Sequence, residues 1–179
     1  MIHHLVITAV GSDRPGICNR LTQVVTRSGG NIVDSRIALF GKEFTLIMLV
    51  SGEMTAITKI ETVLPSVSVE HDLMVVMKRT APHQTPQYTY KVDCTVQSED
   101  RVGLTEAFTQ FFSNHQINIS ELSAQTFAST HEAEADQFHI QIAGLTELEI
   151  DTDKLIASFN NLCDTLSVSG HLNLHPKTD

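Results

Sequence analysis

The chain has 179 residues, 41% hydrophobic and 18% charged, enough for one ordinary domain or two small ones and too apolar for a disordered chain. Twelve basic residues stand against 21 acidic, a formal net charge of −9, which argues against direct grip on nucleic acid, since phosphate binding needs clustered Lys and Arg. There is no apolar run of membrane-span length and no basic signal-peptide start, and the cysteines (Cys18, Cys94, Cys163) lack metal spacing, so a cytoplasmic protein with reduced thiols is expected.

In chain order, residues 4–10 read as a strand. Ile17, Leu21, Val24 and Val25 then follow the i, i+4, i+7, i+8 spacing of an amphipathic helix. Ser28-Gly29-Gly30 is a stop for that helix. Two strands over 31–39 and 43–51 join at Gly41-Lys42, the second alternating Phe44, Leu46, Met48 and Val50. A helix carrying Ile57, Ile60, Val63 and Leu64 is expected to stop at Pro65, with a last strand over 67–77. Residues 79–87, with Pro82 and Pro86 and no periodicity, read as a short stiff linker.

The same order then returns. Tyr88, Tyr90, Val92, Cys94 and Val96 alternate with polar residues, and Leu104, Phe108, Phe111 and Phe112 repeat the helical spacing. Strands over 119–127 and 137–143, a helix over 152–166 and a strand over 168–174 complete the set, with a longer hairpin at 128–136. Comparing 8–35 with 95–122, a shift of 87, eight of 28 positions are identical without a gap, where residue frequencies give roughly one or two. We read two domains, 1–78 and 88–179, each βαββαβ. The fold class is α+β, two tandem ferredoxin-like plaits, each a four-stranded antiparallel sheet with two helices on one face.

The identities cluster at the turn from strand 1 to helix 1 (Asp13, Arg14, Gly16; Asp100, Arg101, Gly103) and at the start of strand 2 (Asn31, Ile32; Asn118, Ile119). A helix N-terminus offers unpaired N–H groups and partial positive charge to a carboxylate. Glycine allows close approach, and an Asp or Asn side chain can take an ammonium group, so the pattern suits a small amino acid. The structural alternative stands beside it. Asp13 and Asp100 can cap helix 1, Gly16 and Gly103 can serve tight packing, and Asn31 and Asn118 can be turn residues.

Asp13-Arg14-Pro15-Gly16-Ile17 after a first strand, with Asn31-Ile32 about 15 residues on, resembles the ACT domain, and the resemblance covers both halves. It implies βαββαβ modules that bind amino acids or other small effectors and regulate enzymes and transcription, with sites where two modules meet. Carried over by position, the ligand-binding residues are Asp13, Arg14, Pro15, Gly16, Ile17, Asn31 and Ile32, and in the second copy Asp100, Arg101, Gly103, Leu104, Asn118 and Ile119. The second copy departs from the pattern at Val102, where the first has proline. A stand-alone tandem pair also resembles regulators that lack a DNA-binding domain. That implies a repressor of an operon for glycine breakdown, working through a LysR-type transcriptional activator and tuned by glycine or a related small amino acid. No cofactor, metal or catalytic residue is expected, and a homodimer is one way to cover the free sheet faces.

Two other readings remain open: a regulatory subunit docking on a metabolic enzyme in trans, and an enzyme using an interdomain cleft. Asp151-Thr152-Asp153 invites a phosphatase reading, but it precedes an amphipathic helix and suits a helix cap better. The acidic run His131–Asp136 reads as a solvated loop.

Overall fold

The computed structural model describes residues 1–82, 87–129 and 135–177. The expected residues 83–86 of the linker and 130–134 of the acidic hairpin lie outside them. The chain divides into two compact units, Met1–Gln84 and Thr85–Asp179.

The first unit contains β1 (Ile2–Ser12), α1 (Ile17–Arg27), β2 (Asn31–Phe40), β3 (Glu43–Glu53), α2 (Met54–Glu70) and β4 (Met74–Thr80). The second contains β5 (Tyr90–Glu99), α3 (Leu104–Asn114), β6 (Asn118–Phe127), β7 (Gln137–Thr146), α4 (Thr152–Leu166) and β8 (Ser169–Pro176). The sheets have the same order, β2-β3-β1-β4 and β6-β7-β5-β8, and every pairing is antiparallel. This is the βαββαβ plait twice over.

Period-2 alternation sets the inner face of each sheet. Leu5, Ile7 and Ala9 of β1 and Phe44, Leu46, Met48 and Val50 of β3 are buried under Ile17, Leu21, Val24 and Val25 of α1 and Ile57, Ile60, Leu64 and Val67 of α2. The second core has the same plan with larger pieces. Phe108, Phe111 and Phe112 of α3 and Phe159 of α4 pack on Val92, Cys94, Ile140 and Ile142. The ring centroids of Phe108 and Phe159 lie 5.8 Å apart, and those of Phe111 and Phe159 5.6 Å, edge to face. Burial pushes the Cys94 thiol up to about 12, with Cys163 nearby adding to it.

One expected boundary is wrong. The second helix does not stop at Pro65 but continues to Glu70, and the last strand begins at Met74 rather than near residue 67. Proline removes one helix hydrogen bond and crowds the preceding turn, at a cost of about 3 kcal/mol. Pro65 sits on the exposed side of α2, where water can hydrate the displaced carbonyl, while Leu64 and Val67 stay buried and extend the apolar stripe. Packing outweighs the local penalty. Strand β4 also reaches Thr80, into what reads as linker from composition alone.

Although the units share a plan, they differ in charge. Residues 1–84 hold eight basic and seven acidic residues, and residues 85–179 hold four and fourteen. No helix among the described residues is long and apolar enough to cross a membrane.

Candidate ligand-binding site

The turn leading into α1 is built by Gly16, the residue before the helix, at φ 90° and ψ −8°. Gly103 holds the same place before α3, at φ 93° and ψ −5°. This left-handed geometry is costly for a residue with a Cβ, and a Cβ at either position would meet nothing within 4 Å. The repeated glycine therefore serves backbone conformation, not tight packing against the sheet. Nor do the aspartates cap their helices. Neither helix start receives a side-chain cap, and each glycine stands three residues after its Asp. The Asp13 N–H instead donates to the Lys42 carbonyl at 3.1 Å, and the Asp100 N–H to the Asp136 carbonyl at 2.9 Å, pinning the turn to the neighbouring hairpin. The Asp100 carboxylate also accepts from Thr126 Oγ1 at 3.1 Å.

The repeated arginines have an equally structural task. Arg14 Nη2 donates to the His71 carbonyl at 2.6 Å, just past the end of α2. Arg101 Nη2 donates to the Leu166 carbonyl at the end of α4. In each unit one guanidinium ties the first turn to the C-terminus of the second helix, where unpaired carbonyls and the helix dipole favour a cation.

The second cluster of identities lies elsewhere. Asn31 opens β2 opposite Ser51, level with His4 of β1, whereas the turn follows Ser12. Eight residues of strand separate the two levels, about 26 Å at about 3.3 Å per residue. Asn118, level with Lys91, is displaced from Asp100 in the same way. Within one unit, Asn31 and Ile32 do not meet Asp13–Ile17, and Asn118 and Ile119 do not meet Asp100–Leu104. In both units the Asn-Ile pair precedes a register shift, between Ile32 and Asp34 and between Ile119 and Glu121. It marks a β-bulge, not a turn, and each isoleucine leans on its core.

What the first turn does form is a hollow of about 320 Å³ lined by Arg14, Pro15, Gly16, Ile17, Asn19, Arg20, Gln23 and His71. Four of these belong to the expected set; Asp13 is not among them. The Ile17 N–H is taken by the Arg14 carbonyl at 3.2 Å, so the amides of Cys18 and Asn19 are next at this helix start. His71 Nε2 is buried without a hydrogen-bond partner. The Glu70 carboxylate lies 3.7 Å from Arg20 Nη2 and 3.9 Å from His71 Nε2. Helix amides, Arg20 and an imidazole thus stand around one small space with a carboxylate at its edge. That set suits a zwitterion.

Repeat identity could not flag Arg20, Asn19 or His71. The second copy has Ala107 for Arg20 and Glu106 for Asn19, which places a carboxylate in the first turn of α3. Its Asn118 instead lines a hollow of about 510 Å³ with Gln87, Gln116, Ser120 and Leu145, at the other end of its sheet from Arg101. Asp151, the doubtful nucleophile, is the N-cap of α4: its Oδ1 accepts from the Lys154 N–H at 3.2 Å, and Lys154 Nζ lies 2.7 Å from Oδ2.

Comparison with known proteins bears on both units. The ACT domain family matches residues 3–78. The glycine cleavage system transcriptional repressor of Escherichia coli (strain K12) is 44% identical over 172 residues, 96% of this chain and 90% of that one. A crystal structure described as a candidate glycine cleavage system transcriptional repressor is 48% identical, covers 99% of both chains and superposes with a TM-score of 0.71. A protein of unknown role from Galdieria sulphuraria, 21% identical, covers 99% of this chain with a TM-score of 0.76 and shares the fold.

Proposed function

This chain belongs to the glycine cleavage system transcriptional repressor family of ACT-domain proteins, a family of transcription regulators, and on that footing we propose that it lowers expression of a glycine cleavage operon by contact with a LysR-type activator. Glycine or a related small amino acid relieves the effect. The observation that carries the ligand half of this reading is the hollow beside α1, with Arg20, the helix start and His71 around it, the His71 Nε2 lacking a hydrogen bond. A ligand carboxylate fits the amides and Arg20, and its ammonium group fits Glu70. Action through a partner agrees with the composition. All four helices among the described residues belong to the two plaits, and the net charge is −9.

For the effector to work, it must bind the activator-bound and free forms with different affinity. The reading is tested by capture of tagged protein from its own cell lysate, with and without glycine, together with titration calorimetry of glycine on the purified chain. A LysR-type regulator whose recovery changes with glycine is the expected result, with Arg20→Ala weakening glycine binding by about tenfold or more. Recovery of a metabolic enzyme in its place moves the weight to a regulatory subunit acting in trans. Glycine binding unchanged by Arg20→Ala removes the hollow from the account.

A further inference from the structure

Each sheet has helices on one face only. On the open face of the first sheet stand Val6 and Val10 of β1 on either side of Thr8, Ile47 and Leu49 of β3 next to Thr45, and Met74 and Val76 of β4, alternating with buried or partly buried residues of the same strands. Met74 is 71% exposed, Val76 60% and Ile47 48%. By register, the same six places in the second sheet hold Asp93, Gln97, Gln141, Ala143, Ser169 and His171. One fold carries both faces, so the apolar one is not a requirement of the plait.

The apolar face also has relief. Val6, Ile47 and Leu49 lie in a hollow of about 530 Å³ whose walls include Asp34, Arg36 and the chain at Thr80, Ala81 and Pro82. Beside it on β4, the exposed Met74 and Val76 form a ridge that continues to Lys78. A ridge next to a hollow on one surface is what a two-fold contact between identical surfaces needs, because each ridge then enters the other hollow.

We propose that this open face of β2-β3-β1-β4 is where two copies of the chain associate, sheet against sheet. Charge selects the first unit for such a contact. With eight basic and seven acidic residues it is near neutral, whereas the second, with four and fourteen, would repel its own copy. Size sets the strength. Four strands at about 4.8 Å, paired over seven residues at about 3.3 Å, present roughly 450 Å² a side and about 900 Å² in all. Stable dimers generally bury about 1,200 Å² or more, so this dimer forms and dissociates with concentration.

Sedimentation equilibrium of the full chain over a wide concentration range tests it, using Val76→Glu and, at the matching place in the second sheet, His171→Glu. The proposal predicts reversible dimerisation of the wild type, weakened at least about tenfold by Val76→Glu and unchanged by His171→Glu. Should Val76→Glu fail to fold, Val76→Thr, which keeps the strand-favouring branched shape, gives a smaller weakening in the same direction. A wild type that stays monomeric throughout, or equal weakening by both glutamates, overturns it.

Discussion

The two units are built from one plan and present different surfaces. Five of the eight identities, at Asp13/Asp100, Arg14/Arg101, Gly16/Gly103 and Asn31-Ile32/Asn118-Ile119, have a visible task in the fold: a turn pinned to a hairpin, a guanidinium holding a helix end, a left-handed residue, a bulge. Where the units differ, at Arg20/Ala107, Asn19/Glu106 and Val76/His171, lie residues that give the first unit the wall of its hollow beside α1 and part of its apolar sheet face. The hollow beside α1 draws on both kinds of position: Arg14, Gly16 and Gln23 are shared with the second unit, while Asn19 and Arg20 are not.

The largest expected difference between the units is in their cores. Phe159 touches both Phe108 and Phe111, so Phe159→Ala removes the keystone of an aromatic cluster that the first unit lacks. It should cost the second unit about 3–5 kcal/mol, read by calorimetry as a lowered transition. If Met1–Gln84 retains its amide-exchange protection in that variant, the units are energetically separate. Equal loss in both would mean that they unfold as one.

The arginine clamps predict a smaller and symmetric effect. Arg14→Ala and Arg101→Ala should each lower stability by about 1 kcal/mol in denaturant titration, because each removes a charged donor from exposed helix-end carbonyls. A variant of either that is fully stable would return that arginine to the list of ligand or partner contacts.

The smallest effect belongs to Glu61, whose carboxylate takes a two-point bond from Arg79, 2.8 Å to Nε and 2.6 Å to Nη2, joining α2 to β4. That hydrogen bond holds the Glu61 carboxyl below its ordinary range. A carboxylate lowered on folding stabilises above its unfolded value and loses that contribution as pH falls through the folded one. The stability gap between wild type and Glu61→Gln should be small at pH 7 and close below about pH 4. A gap that persists in acid would point to packing instead.

Much of the plait was legible because hydrophobic period switches cleanly between 2 and 3.6 and the pattern occurs twice. Pro65 was misread because a local penalty is visible in a sequence, while the buried stripe through Leu64 and Val67 that outweighs it belongs to the tertiary structure. The expected site residues fall in two places in each unit. Helix-start chemistry points to Arg14–Ile17, which line a hollow, while Asp13 and Asn31 are joined by repeat identity and by the resemblance, which puts sites where two modules meet; within one unit β1 and β2 run parallel, so the end of one and the start of the other lie at opposite ends of the sheet. That separation follows from topology alone. The places of Arg20, Glu70 and His71 do not, since they depend on how the end of α2 meets the start of α1.

The proposal that the hollow beside α1 in the first unit takes the amino acid is tested most directly by following backbone amides in two-dimensional NMR while glycine is added to the full chain. The account predicts shifts at Gly16, Ile17, Arg20 and His71 that saturate together, with Gly103, Leu104 and Ala107 unmoved. Matching shifts in both turns, or shifts confined to the second, would contradict it.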